Sequence, residues 1–418
     1  MRQDTGRLRI ALLSYKGRQF SGGQGVYVRN LSRELVAIGH TVDVIAGPPY
    51  PVVDHGVRLT RLPSLQLFDS YPFRTPSIRE LRGVADLAEY VGVRRGTFAE
   101  PLSFSLRAAN YLARNRTRFD VVHDNQCLGY GLLGPRALGL AVLATVHHPI
   151  SIDRDLELAA ASEESRGNIV NWYRFVGMQG RVARILDRVA TPSRASKDAI
   201  VEHFGLSPGQ VDVVPLGVDT ATFHPAGDQA RMPGRIVATA SADVALKGLD
   251  QLVRSCALLR AEHDRSHLEL VVVGRPRAGG PAEKAITEHG IADLVSFRAD
   301  LTEVELAALL RSAEVVCVPA RYEGFSLPAL EAMACGTPVV ATDVGALSEV
   351  LGSAGVLVPP GDPDALAQEL SRVLTDGELR GRLAAAGVAR ATEFTWRVTA
   401  QATVECYREL LAGSATRC

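Results

Sequence analysis

The chain alternates short apolar runs with longer segments in which apolar residues recur at helical spacing. The run 8–13 predicts a strand, the pattern over 26–38 predicts a helix, and the run 42–46 predicts a second strand. Gly39 stands where a glycine commonly ends a helix. These segments predict a βαβ unit, and later runs such as 141–146 extend it into a parallel sheet with helices on both faces.

A second β/α series begins after a stretch rich in proline and glycine at 220–236. Two helix starts are legible: Thr302 with Glu305 forms a capping box, and Asp362 is an N-cap followed by Pro363. The apolar runs predict strands at 235–239, 268–273, 295–297, 315–319, 339–341 and 356–358. We therefore predict an α/β protein with two similar parallel-sheet domains in tandem.

Two segments of the first half are harder to interpret. The segment 62–117 carries four prolines and a basic, partly aromatic content. The segment fits either a solvated insertion or an element that contacts a second substrate, as an acceptor, or a membrane surface. Apolar residues at helical spacing over 168–188 lie among several arginines, a pattern more typical of core packing than of lipid contact.

Composition and charge narrow the class of protein. The 418 residues are 46% hydrophobic and 22% charged, which excludes disordered and fibrous classes, and 46 basic against 46 acidic side chains argue against a nucleic-acid binder. Six cysteines without a C-x-x-C pair indicate reduced thiols. No apolar run reaches the roughly 20 residues of a membrane span, and no signal peptide is evident. We expect a cytoplasmic protein, with peripheral contact at the inner face of the membrane left open.

Glycines lie between the first predicted strand and its helix, at Gly22, Gly23 and Gly25 around Gln24. Glycines allow close approach of the backbone to a ligand, and a helix N-terminus offers N–H groups to an anion. A plain tight turn explains the same residues. The pattern is not G-x-G-x-x-G and does not indicate a nicotinamide cofactor.

In the second half, Glu323 and Glu331 flank a predicted strand-to-helix loop. The amides of 324–327 suit a diphosphate at a helix N-terminus, and the two carboxylates suit sugar and ribose hydroxyls. Lys247, one of four lysines, is predicted to open a helix, where a cation opposes the helix dipole. A bound phosphate would offset that cost, whereas a surface lysine is the simpler alternative.

Two histidines follow strands of the first domain, where open α/β sheets bind ligands. His123 precedes Asn125 at the end of one strand, and His147 ends another. A single histidine is more often structural than catalytic. We find no metal-ligand spacing and no nucleophile elbow.

The sequence resembles, over nearly its whole length, the retaining nucleotide-sugar glycosyltransferases of GT-B architecture that share an E-x7-E motif, of the family 4 type. The matching segments are 22–27, 39–42, 120–123, 145–147, 214–219, 247–248, 323–331 and 358–362. The resemblance implies two Rossmann-like domains facing across a cleft: 1–225 on the acceptor side and 226–393 for the nucleotide sugar, with 394–418 as a helix crossing back to the first domain.

The resemblance also implies roles for individual residues. His147, Lys247 and Glu323 would lie at the reaction centre. Donor contacts would come from Gly22, Gly23, Lys247, Arg275, Glu323, Gly324, Phe325, Ser326, Leu327 and Glu331, and low-ranked acceptor-side contacts from Gln24, Tyr27, His123 and Asn125. Ser241 stands where the family commonly has an arginine, so one positive charge near the diphosphate is missing. Arg275 is the candidate to supply that charge.

The implied reaction is retaining transfer of a hexosyl unit from a nucleotide-diphosphate sugar to an unidentified hydroxyl acceptor. The acceptor could be a small metabolite, a lipid head group or a glycan, and no metal or other cofactor is expected. Two alternatives stay open: an inactive nucleotide-sugar-binding relic acting as a sensor or partner, and sugar-nucleotide epimerisation or phosphorolysis on the same architecture.

Overall fold

The computed structural model describes residues 6–17, 23–67, 73–227, 231–240, 245–262 and 267–415. The chain divides into two compact units. Unit 1 contains Met1–Val214 and Arg397–Cys418, and unit 2 contains Pro215–Trp396.

Unit 1 is built on one parallel sheet in the spatial order β3-β2-β1-β4-β5-β6-β7. Its strands are β1 (Arg9–Ser14), β2 (Thr41–Ala46), β3 (Arg58–Arg61), β4 (Val121–Asn125), β5 (Ala141–Thr145), β6 (Arg188–Thr191) and β7 (Val211–Val213). Its helices up to residue 214 are α1 (Gly23–Ala37), α2 (Val84–Arg94), α3 (Glu100–Arg114), α4 (Leu133–Ala137), α5 (Ser151–Ala160), α6 (Glu163–Trp172), α7 (Arg174–Ile185) and α8 (Arg194–Phe204). All residues of β4 and β5 are buried, as expected for central strands covered on both faces.

Unit 2 repeats the plan with a parallel sheet in the order β10-β9-β8-β11-β12-β13. Its strands are β8 (Arg235–Thr239), β9 (Glu269–Val273), β10 (Val295–Arg298), β11 (Val315–Val318), β12 (Val339–Thr342) and β13 (Val356–Val358). Its helices are α9 (Leu249–Glu262), α10 (Pro281–His289), α11 (Glu303–Ser312), α12 (Leu327–Ala334), α13 (Leu347–Leu351), α14 (Pro363–Thr375) and α15 (Gly377–Ala391). The last helix, α16 (Trp396–Ala415), lies within unit 1 from Arg397 onward.

The predicted α/β class with two parallel sheets is confirmed. The capping box is present, since Thr302 accepts from the Glu305 amide while Glu305 bonds back to residue 302, and Asp362 caps α14. Three strands had no predicted counterpart. β3 is half exposed, while β6 and β7 have only four and three residues, so none shows a long apolar run.

The unit boundaries fall at 214/215 and 396/397, whereas the predicted boundaries were 225/226 and 393/394. The backbone explains the first position. The amide of Val218 donates to the Phe394 carbonyl at 2.9 Å, and Val218 also forms an isolated parallel bridge with Thr395. The segment after Val214 is therefore tied to the end of unit 2.

The structure shows what the segments 62–117 and 168–188 form. Residues 62–117 contribute α2 and α3, with a small core of Leu65, Leu67, Val93 and Ala99. The prediction of core packing for 168–188 is confirmed over α7, whose Phe175 and Val182 join the main core of unit 1. Among the described helices, none combines the length and apolar content needed to cross a membrane.

Candidate functional site

Unit 2 brings Lys247 and Glu323 into direct contact, with Nζ and Oε1 2.7 Å apart. Lys247 ends a short 3-10 turn after β8, and Glu323 lies in the loop after β11. The Arg321 amide donates to the Leu246 carbonyl at 2.8 Å, and its guanidinium donates to Asp250 at 2.8 Å. These bonds fix the two loops together. The predicted position of Lys247 inside a helix start is corrected: α9 begins two residues later, at Leu249.

Gly248 lets the lysine loop approach the neighbouring strand end. Its φ is +62°, and a Cβ there would lie 1.9 Å from the Pro319 carbonyl oxygen. A side chain at this position would therefore meet both backbone strain and a backbone atom that has no room to move.

We expect Gly248→Ala to lower the free energy of unfolding by roughly 2 to 4 kcal/mol, from left-handed strain and overpacking. Gly381→Ala is the matched control, because Gly381 lies inside α15 with no atom near the added Cβ. That variant should gain about 0.5 to 1 kcal/mol through helix propensity. Urea unfolding measures both, and equal stability of the two variants would contradict the close approach at Gly248.

The loop after β12 holds the backbone of Glu323, a contact that was not predicted from the sequence. The Ala346 amide donates to the Glu323 carbonyl at 2.9 Å. Gly345, with φ +54°, permits this contact, because a Cβ there would lie 2.1 Å from that carbonyl oxygen. The glycine after β12 was the available signal.

The segment after Glu323 leads into the amino end of α12. Ser326 has φ +79°, is 3% exposed, and its Oγ has no hydrogen-bond partner among the described residues. The phenyl ring of Phe325 packs edge-on against Phe394, with ring centroids 5.7 Å apart. Phe325 can therefore offer a ligand its backbone amide and not its ring. The helix dipole and the N–H groups of the first turn, to which Pro328 contributes none, make this end of α12 attractive to an anion.

Glu331 lies one turn into α12 and is half-buried. Burial, with a smaller contribution from the carboxylate of Glu303 on α11, raises the pKa of its carboxyl to about 8. In the described part of the chain its carboxylate has neither a hydrogen bond nor an ion pair. A desolvated carboxylate without a partner is a candidate ligand-binding group.

Other predicted donor residues are less informative. Arg275 follows β9 and pairs with Asp300, with its side chain 72% exposed. No described contact joins it to Lys247 or Glu323. Gly22 and Ser241 lie outside the described residues.

In unit 1, His147 follows β5 and is held by several neighbours. Its amide donates to Gln126 Oε1 at 2.8 Å, its Nε2 faces Asn125 Oδ1 at 2.8 Å, and its carbonyl accepts from Ser196 Oγ at 3.1 Å. The ring packs edge-on against Tyr27, with centroids 4.8 Å apart. With Asn125 Oδ1 accepting, Nε2 carries the proton and Nδ1 is left as an acceptor.

The environment of His147 keeps its ring neutral. Burial, with a smaller contribution from neighbouring His148, lowers the pKa of His147 to about 3. His148 itself pairs with Asp153 at 2.7 Å. A neutral His147 can accept a hydrogen bond from a sugar hydroxyl at neutral pH, but it carries no charge to offer a phosphate.

The predicted acceptor-side residues divide into two groups. His123 is fully buried with both ring nitrogens bonded, and Tyr27 is 2% exposed with its hydroxyl bonded, so acceptor contact by these two side chains is corrected to an interior role. Gln24 bonds to the Tyr15 hydroxyl. Gly23, predicted as a donor contact, is the exposed first residue of α1. Asn125 is buried, and its Nδ2 has no partner in the described structure.

Among the described residues, no group of three His, Cys, Asp or Glu side chains is arranged to hold a metal ion. The described cysteines are buried and free.

Two family models match the chain. One, described as Glycosyltransferase Family 4, matches residues 21–222, and the other, described as Glycosyl transferases group 1, matches residues 233–376. The chain is 50% identical to an MMP alpha-(1->4)-mannosyltransferase of Mycolicibacterium hassiacum, over 97% of this chain and 99% of the relative. It is 32% identical to a D-inositol 3-phosphate glycosyltransferase of Frankia alni, over 94% and 96% of the two chains.

Solved structures with the same fold are also similar. A sucrose-phosphate synthase from Thermosynechococcus elongatus aligns with a TM-score of 0.74 and 26% identity, over 97% of this chain and 99% of that one. Anabaena Alr3699/HepE in complex with UDP and glucose aligns with a TM-score of 0.67 and 17% identity, over 96% and 100%. The second likeness concerns the fold alone.

Proposed function

Because the chain belongs to the family 4 glycosyltransferases, we propose that it transfers a hexosyl unit from a nucleotide-diphosphate sugar with retention of configuration and without a metal ion. Glycosyltransferase activity itself follows from family membership. The donor, the stereochemistry and the metal independence are the parts that need their own support.

The observation that carries the proposal is the Lys247–Glu323 ion pair ahead of the amino end of α12. A diphosphate carries more negative charge than one carboxylate, so it competes for Nζ and is also attracted by the helix dipole. Once Lys247 turns to the phosphates, Glu323 becomes free to accept hydroxyl hydrogen bonds from the sugar.

The mechanism follows from where charge develops. As the glycosidic bond breaks, negative charge grows on the departing diphosphate, and Lys247 and the α12 amides stabilise it without reorganisation. In unit 2, Glu331 accepts the ribose hydroxyls, and in unit 1 the neutral ring of His147 accepts a hydroxyl of a bound sugar. The acceptor enters on the face from which the diphosphate leaves, so a phosphate oxygen takes the acceptor proton and configuration is retained.

We propose mannose as the transferred sugar and an α-(1→4) linkage as the product. The support is the 50% identity to a relative named as an alpha-(1->4)-mannosyltransferase over nearly the full length of both chains.

The test is an assay of the purified protein with UDP-, GDP-, ADP- and TDP-sugars, including UDP- and GDP-mannose, methyl α-mannoside and manno-oligosaccharides, with and without EDTA. We expect nucleoside diphosphate release that requires an acceptor, an α-configured product by NMR, and unchanged rates in EDTA. An isomerised nucleotide sugar would replace the proposal with epimerisation. Ligand binding without turnover would support the relic alternative, and loss of activity in EDTA would refute metal independence.

A further inference from the structure

Four polar side chains form a continuous hydrogen-bonded chain inside unit 1. The Tyr407 hydroxyl lies 2.6 Å from Nδ1 of His123. Nε2 of His123 lies 2.7 Å from Oγ1 of Thr145, and that hydroxyl lies 3.0 Å from the Tyr27 hydroxyl. We call this set the buried chain; it links α16, β4, β5 and α1.

The buried chain is enclosed by the protein. His123 and Tyr407 are 0% exposed, Tyr27 is 2% and Thr145 is 3%. Burying a polar group costs free energy unless it is hydrogen-bonded, and apolar residues of similar shape usually serve a core as well. A polar chain through a core therefore supplies directional restraint more than stability.

One end of the buried chain reaches the histidine of the site. The Tyr27 ring packs edge-on against His147, with an interplanar angle of 82°. His123 and Asn125 lie two residues apart on β4 and so face the same side of the sheet. Asn125 holds Nε2 of His147. The two described contacts of the His147 ring thus come from Tyr27 of the buried chain and from Asn125, which lies two residues along β4 from His123.

We propose that Tyr407 is a positioning residue: through His123, Thr145 and Tyr27 it sets the orientation of the His147 ring. This inference rests on the proposed role of His147 in transfer. In one direction of the chain, the Tyr407 hydroxyl donates to Nδ1, Nε2–H donates to Thr145, and Thr145 donates to Tyr27. The reverse direction satisfies the same atoms, and both require every member.

The test compares variants of the full-length protein that each lack one hydroxyl of the buried chain. Tyr407→Phe and Thr145→Val each remove one hydroxyl with little change of shape. We expect each to lower kcat roughly 10- to 100-fold with the donor KM nearly unchanged, since a misplacement near 1 Å costs about 100-fold. Thr145→Ser restores the hydroxyl and should recover most of the turnover.

Two controls separate positioning from general destabilisation. Tyr111→Phe removes a hydroxyl that lies near Arg118 and Thr60 on another side of unit 1, and it should leave kcat unchanged. The double variant Tyr407→Phe/Thr145→Val should lose no more than the worse single variant, because both break the same chain. Additive losses, a loss confined to KM, or wild-type kcat in both single variants would overturn the inference.

A readout that does not depend on turnover keeps the inference separate from the proposed function. The protein has ten histidines, and labelling their Cε1 carbons gives a countable NMR spectrum in which His147→Gln assigns the His147 signal. We expect that signal to shift in Tyr407→Phe and Thr145→Val, and not in Tyr111→Phe. If the wild-type protein proves inactive, the proposed function is refuted, but the NMR signal of His147 still shows whether Tyr407 is coupled to His147. An unchanged His147 signal in Tyr407→Phe and Thr145→Val would refute this coupling.

Discussion

Replacing Lys247 with methionine should lower turnover about 100- to 1,000-fold, because one donor at a developing negative charge contributes roughly 2.7 to 4 kcal/mol to the transition state. Methionine keeps most of the length of the side chain and removes its charge and its N–H donors. The measurement is kcat with the donor identified in the assay, beside the melting temperature. Since Glu323 then loses its cation at 11% side-chain exposure, we also expect a modest loss of stability.

Lys284→Met is the matched control for this variant. Lys284 lies on α10 and is exposed, and its substitution should change neither kcat nor stability. The double variant Lys247→Met/Glu323→Gln removes the unpaired carboxylate and should regain the lost stability without regaining turnover. Turnover of Lys247→Met within threefold of the wild type would refute the role of this lysine.

Much of the fold is predictable because parallel strands covered on both faces are nearly continuous apolar runs. The ends of all six strands in unit 2 lie within one residue of the predicted runs, which are 235–239, 268–273, 295–297, 315–319, 339–341 and 356–358. β3 has the pattern Arg-Leu-Thr-Arg at a sheet edge, so it buries too little to show. The boundary at 214/215 depends on pairing with residues 394 and 395, which no local pattern reveals.

The sequence predicts individual residues of the site but not the contacts between them. The sequence places Glu323 and Lys247 at strand ends, but their ion pair depends on the contact between the loops after β8 and β11. His123 was also predicted to lie at a strand end, but it is the middle residue of β4, and the predicted position does not tell which face of the strand is covered. Tyr407, 284 residues further along the chain, covers the His123 ring. The predicted ligand contact of His123 is instead a hydrogen bond in the protein interior.

Replacing Glu331 with glutamine should stabilise the protein at pH 9 and leave it nearly unchanged at pH 4. Burial raises the pKa of this carboxyl to about 8 from an ordinary 4.5. The stabilisation by the protonated group is therefore complete below about pH 4.5 and is lost as the pH rises through 8. The glutamine variant escapes that loss, and unfolding at pH 4, 7 and 9 should show a gain of at least about 1 kcal/mol at the high end. A gain that does not depend on pH would contradict the raised pKa.

The same carboxyl should make nucleotide binding release a proton. Ribose hydroxyls donate to an ionised carboxylate, so binding favours the charged form and lowers the pKa of Glu331. At pH 7 the free protein holds the proton and the complex does not, and calorimetry in buffers of different ionisation enthalpy should report close to one proton released per nucleotide bound. Glu331→Gln should bind more weakly and release none, whereas Glu303→Gln should bind normally, because Glu303 acts on Glu331 through its charge. Proton uptake on binding, or proton release that persists in Glu331→Gln, would contradict the placement of Glu331 at the ribose. If Glu331→Gln is more stable than the wild type but binds the nucleotide poorly, the carboxylate is retained for ligand binding at the expense of stability.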